Sequence, residues 1–105
     1  MSVLSDADFQ VVHRRIKKSD VSWLRDRLDA GLDPNSKNKF GWTLLMLAAL
    51  EGRKDLLDLL IARGANADAK NKFGFTAEVL AFSKAHRKAA DFIAKHMVRP
   101  NEQKA

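Results

Sequence analysis

Cysteine and tyrosine are absent from the 105 residues, and proline occurs only twice. Without cysteine there can be no disulfide framework and no thiolate metal site. The three histidines, His13, His86 and His96, are scattered with no metal-ligand spacing. The G-x-S-x-G, H-E-x-x-H and glycine-rich phosphate-loop patterns are missing as well. These gaps argue against an enzyme, and no catalytic residue, metal or cofactor is assigned. No run approaches the roughly 18 apolar residues that a membrane span requires. The opening MSVLSDADFQVV is acidic where a secretory signal would be basic, and it has no apolar core. The expectation is a soluble cytoplasmic protein, although the lack of cysteine taken alone fits a periplasm equally well.

Apolar residues make up 46% of the chain, an ordinary share for a globular protein, and the length fits one domain with a modest core. The formal net charge is +6 and unevenly spread. Residues 1–37 hold seven Lys/Arg against six Asp/Glu, residues 38–70 five against four, and residues 71–105 seven against three. A basic surface of this kind favours solubility, and it would also steer an acidic partner toward the chain. Charge alone does not choose between the two.

A repeat organises the sequence. NKFGWT at 38–43 returns 33 residues later as NKFGFT at 71–76. The same shift aligns GLDPNSKNKFGWT (31–43) with GANADAKNKFGFT (64–76), pairing Gly31 with Gly64 and Lys37 with Lys70. The periods are 5–37, 38–70 and 71–103, with a frayed tail over 98–105. In the middle period, Leu45, Ala48 and Ala49 form a helical stripe, and Leu56, Leu57, Leu60 and Ile61 form another after Gly52. Asp55 and Arg63 sit at the ends that suit the helix dipole, and Gly64 supplies a helix stop. ANADAKNKFG is too rich in Asn, Asp and Gly for helix and predicts an extended turn or hairpin. The outer periods look like caps. Ser5-x-x-Asp8 resembles a capping box ahead of Phe9, Val12 and Ile16. A second helix carries Trp23, Leu24 and Leu28, with polar Arg25, Asp26 and Arg27 where the middle period has Asp58, Leu59 and Leu60. Phe92 and Ile93 supply the apolar contacts of the final period.

The pattern resembles the ankyrin repeat, whose unit opens D-x-x-G-x-T-P-L-H-x-A-A and closes L-L-x-x-G-A. Asn38, Gly41, Thr43, Leu45, Ala48, Ala49 and Gly52 match, followed by Leu59, Leu60, Gly64 and Ala65. Asn71, Gly74, Thr76 and Ala81 match in the third period, and the likeness covers about residues 5–96. It implies an all-α solenoid of three helix–turn–helix units joined by short β-hairpin fingers. The T-P-L-H tetrapeptide departs from the pattern, reading T-L-L-M at 43–46 and T-A-E-V at 76–79, without its proline or its hydrogen-bonding histidine. Glu78 stands where a core leucine is usual, which places it at the open end of the stack. His86 matches a structural histidine near the turn between helices.

The resemblance also implies that proteins are bound through the hairpin tips and the exposed, concave side of the first helices. Carried over position by position, that surface takes Lys39, Phe40, Trp42, Leu50 and Glu51, then Lys72, Phe73, Phe75, Ser83 and Lys84. Lys37 and Lys70 lie at the loop edges, and Phe9, Lys17 and Lys18 extend the face into the first period. Aromatics interleaved with lysine fit an interface hot spot. Phe40 and Phe73 equally fit a role covering the hairpin stack, whereas Trp42 and Phe75 are expected to face a partner. Alanine at Trp42 and Phe75 is accordingly expected to spare the fold. The expected function is binding of another protein, one with an acidic surface, by a monomeric adaptor or regulator. The alternative is a dedicated inhibitor of the immunity type, plugging an acidic cleft on an enzyme. HRRIKK at 13–18 puts Arg14, Lys17 and Lys18 on one helix side and raises nucleic-acid binding. Asp20, Asp26 and Asp29 dilute that field and no groove-reading motif accompanies it, so a solvated cap face is preferred.

Overall fold

A computed structural model describes residues 3–98. Its helices are α1 (Asp6–Lys17), α2 (Val21–Asp29), α3 (Leu44–Glu51), α4 (Lys54–Ala62), α5 (Ala77–Ser83) and α6 (Arg87–Ala94). They pair as α1/α2, α3/α4 and α5/α6, and the pairs stack in two rows, α1–α3–α5 and α2–α4–α6. No helix among the described residues is long and apolar enough to cross a membrane. The tail assigned to 98–105 lies outside the described residues beyond Val98.

The stacking follows from where each helix is apolar. Phe9, Val12 and Ile16 of α1, Leu24 and Leu28 of α2, and Leu56, Leu57 and Leu60 of α4 are buried, as their spacing predicts. On α2, Arg25, Asp26 and Arg27 stay exposed and give the first pair a solvated outer face. The α3 helix departs from its predicted stripe, because every residue from Leu44 to Ala49 is buried. It is covered by α1, α4 and α5 together, so a central helix needs no polar face. At the far end, Val79 and Phe82 of α5 remain exposed and Glu78 is only half-buried. Among the described residues no further helix stacks on α5 in the α1–α3–α5 row, so a carboxylate is tolerated where Leu45, one period earlier, is buried.

Helix starts repeat with the period. Thr43 (φ −94°, ψ 166°) and Thr76 (φ −96°, ψ 168°) cap α3 and α5 in nearly the same conformation. Thr43 Oγ1 accepts from Met46 N at 3.2 Å and Thr76 Oγ1 from Val79 N at 3.3 Å. Met46 returns the bond: its Sδ accepts from Thr43 N at 3.4 Å, closing a capping box where the repeat pattern has histidine. Ser5 caps α1 by accepting from Asp8 N. Asp20 caps α2 through Trp23 N at 3.2 Å and pairs with Arg15 at 2.9 Å. The Trp23 amide first, and Arg15 after it, hold the Asp20 carboxyl below the usual carboxylate range.

The fingers are turns, and the predicted β-hairpins do not form strands among the described residues, where Lys37 makes only isolated bridges to Val3 and Thr43. An asparagine closes each turn from its base. Asn38 Oδ1 accepts from Phe40 N at 2.9 Å and Trp42 N at 3.0 Å. Asn71 Oδ1 does the same for Phe73 N at 2.9 Å and Phe75 N at 3.1 Å. One backbone bond also closes each base, Asn38 N to Trp42 O and Asn71 N to Phe75 O, both at 3.0 Å, and no extended ladder forms among the described residues. The two turns then join, Lys72 N donating to Phe40 O at 2.9 Å.

Gly41 and Gly74 occupy the same left-handed conformation, with φ +82° and +86°. A Cβ on Gly41 would lie 3.1 Å from Asn71 Cα and 3.2 Å from Lys72 N, whereas one on Gly74 meets nothing within 4 Å. Gly74→Ala is therefore expected to lose only about 1–2 kcal/mol of stability, from left-handed backbone strain. Gly41→Ala should lose about 1 kcal/mol more, because the second finger must move away. Urea denaturation of both variants checks this, and equal losses would remove the finger-to-finger contact from the account.

Candidate functional site

The first finger and α1 enclose a groove of about 550 Å³. Lys39, Phe40 and Trp42 come from the finger, and Leu47 and Leu50 from α3. The first two turns or so of α1 supply Asp6, Phe9, Gln10 and His13. The α1 helix is 12 residues long against 8 for α3, about one turn more. Lys39 Nζ sits 3.5 Å from Asp6 Oδ2, and both side chains are well exposed, so the pair contributes little stability. The same ammonium lies 5.4 Å from the Phe40 ring centroid.

Several surface residues from the sequence meet here, and several do not. Phe40 is 46% exposed, and its ring stands 6.5 Å from Phe73, itself 62% exposed. The two rings stand side by side along the finger row, and each still presents about half of its surface to solvent. Phe75 is 44% exposed. Trp42, at the equivalent position, is half-buried and packs against the core, so it is not the free tip its sequence position implies. Its removal would open the groove floor, so alanine there is expected to destabilise the fold. Leu50 is likewise half-buried against the core, and Glu51 is half-buried as well. Phe9 is only 6% exposed; it belongs to the core and cannot extend an exposed face.

Lys37, Lys70 and Lys72 are exposed and gather with Lys39 in a second recess between the fingers. Ser83 and Lys84 are exposed at the far end of α5 and line neither groove. Ser83 Oγ donates to Leu80 O at 2.7 Å, occupying its hydroxyl within its own helix. Lys17 and Lys18 are exposed at the end of α1, away from both grooves. Asp6, Gln10 and His13 are groove residues that the period could not reveal, because α1 belongs to the least regular unit. Their spacing along one polar helix side was the available signal.

His86 acts inside the fold. Its Nε2 lies 3.1 Å from Leu50 O, tying the start of α6 to the end of α3. Among the described residues no group of three His, Asp or Glu side chains could hold a metal ion.

The family model for ankyrin repeats in three copies matches residues 13–104. A platypus (Ornithorhynchus anatinus) "Ankyrin repeat, SAM and basic leucine zipper domain-containing protein 1" is 41% identical over 66 residues, 63% of this chain and 14% of the relative. The human protein of that name is 44% identical over 48 residues, covering 46% of this chain and 10% of the relative. The mouse protein is 37% identical over 54 residues, 51% of this chain and 11% of the relative. This chain thus aligns with only a small part of each of these relatives.

Proposed function

Since the chain belongs to the ankyrin-repeat family, we propose that it is a non-enzymatic protein–protein interaction module, an adaptor built from units 5–37, 38–70 and 71–103. Its partner is taken up on the finger side, at the groove beside α1 and along the Phe40–Phe73 row. The observation that carries this reading is the groove itself: an apolar floor of Trp42, Leu47 and Leu50 under an exposed Phe40, rimmed by charge. A recess of this size accepts one large side chain of a partner, and apolar recesses edged by polar groups are where interface energy concentrates. Family membership makes protein the favoured ligand class over nucleic acid or a small metabolite.

The test is a random peptide library displayed against the immobilised chain. Selected ligands should lose about 30-fold or more in affinity for the Phe40→Ala, Phe73→Ala variant, or about 2 kcal/mol. Both rings are exposed, so the variant should keep the parent circular dichroism and melting temperature. Ligands that bind parent and variant alike, or no selected ligands at all, would sink the reading. If a captured partner is an enzyme, an adaptor leaves its activity intact, whereas stoichiometric loss of activity would reassign the module as an inhibitor.

A further inference from the structure

The recess between the fingers has a volume of about 320 Å³, and four of its lining residues are lysines: Lys37, Lys39, Lys70 and Lys72. No carboxylate lines it. Their convergence is a product of the repeat. Each finger base reads Lys-Asn-Lys, and the Lys72 N to Phe40 O bond sets the two bases side by side. Among the described residues only Lys39 of the four forms an ion pair, and its partner Asp6 is exposed. Four like charges with a single exposed carboxylate beside them raise the local potential and favour an anion that supplies the rest. Asn71 adds a second sign. This residue lines the recess and is 5% exposed, and its Oδ1 is occupied by the Phe73 and Phe75 amides. Its Nδ2 is buried and donates to no protein atom. The finger is thus closed by a neutral amide, which supplies the lysines around it with no counter-charge.

We propose that this recess binds the carboxylate side chains of an acidic segment in the protein partner. The proposal rests on the reading of the chain as a protein-interaction module. Lysine ammoniums are compact point charges with rotatable donors, suited to several carboxylates in no fixed geometry. The recess holds no aromatic platform on which a nucleotide base could stack, which favours an acidic peptide over single-stranded RNA. Lys39 lines both recesses and makes them neighbours. The fitting partner segment therefore carries one bulky apolar residue, for the groove beside α1, next to a run of Asp or Glu for the lysines.

Fluorescein-labelled hexaglutamate, followed by anisotropy with the full chain at about 50 mM salt, tests the lysine half alone. Saturable binding is expected, weakened about tenfold or more by Lys37→Gln, Lys70→Gln, Lys72→Gln together. Arg14→Gln, Lys17→Gln, Lys18→Gln removes the same charge from α1 and should leave binding within about twofold of the parent. Equal weakening by the two triple variants would mean diffuse attraction and overturn the proposal, as would the absence of saturable binding. Tighter binding of hexauridylate than of hexaglutamate would also overturn it, reassigning the recess to RNA. The Phe40→Ala, Phe73→Ala variant should bind hexaglutamate like the parent. Failure of the aromatic groove and failure of the lysine recess are therefore read from different variants.

Discussion

Gly52→Ala is expected to destabilise the chain by about 3 kcal/mol, from left-handed strain and a steric clash together. Gly52 ends α3 at φ +65°, a conformation that costs a residue with a side chain about 1–2 kcal/mol. The added Cβ would also lie 2.5 Å from Cγ and Nδ1 of His86. That is the root of the ring, and the ring is pinned through Nε2 to Leu50 O. The clash cannot be relieved by swinging a flexible tip aside. His86→Ala alone should lose about 1 kcal/mol for the missing hydrogen bond. The double variant should therefore lose clearly less than the two single losses together, because the ring that obstructs the new methyl is gone. Urea denaturation of the four proteins gives the coupling. Additive losses would mean that the ring does not obstruct the methyl. For a chain of this length, 3 kcal/mol is a large part of a total of about 5–15 kcal/mol.

The second large effect is placed at Met46. This side chain is wholly buried and also supplies the sulfur acceptor for Thr43 N. Met46→Ala should lose about 3–4 kcal/mol, since it empties the centre of the stack and orphans the capping amide. Met46→Leu keeps the volume and removes only the acceptor, so about 1 kcal/mol is expected. Thermal and urea unfolding of both variants separate the contributions. A leucine variant as stable as the parent would reduce the sulfur contact to packing alone, and a loss under about 1.5 kcal/mol for alanine would mean that the cavity collapses. The effect should be global, because α3 contacts α1, α4 and α5 and its loss would leave the outer pairs joined only through α4.

Much of the fold was legible because its determinants are local. Thr43 and Thr76 cap helices through their own hydroxyls, and Gly52 and Gly64 stop them with positive φ. The apolar spacing of α1, α2 and α4 named their buried residues, although Trp23 and Ile61 on the same stripes are only half-buried. The α3 stripe was underestimated, since periodicity assumes one solvated face and a central helix has none. The hairpins were overestimated: Asn38 and Asn71 satisfy the finger amides with side-chain oxygen, and composition does not distinguish that from a strand pair.

The candidate site divides along the same line. Each Lys-Asn-Lys and each exposed phenylalanine is visible in the sequence. Their assembly into one lysine recess depends on contacts between successive loops: Lys72 N to Phe40 O, and Asn35 bonded to Gly64 O and Asn66 N. Trp42 and Phe75 make the point most sharply, for they occupy equivalent positions in near-identical fingers. Phe75 is exposed, whereas Trp42 is half-buried in a groove whose other wall is the longer α1. The repeat fixed where aromatic, lysine, asparagine and glycine fall, through chemistry that acts within a few residues. Which of them reach solvent, and which converge, was decided only when neighbouring units stacked, because burial depends on what lies alongside a residue.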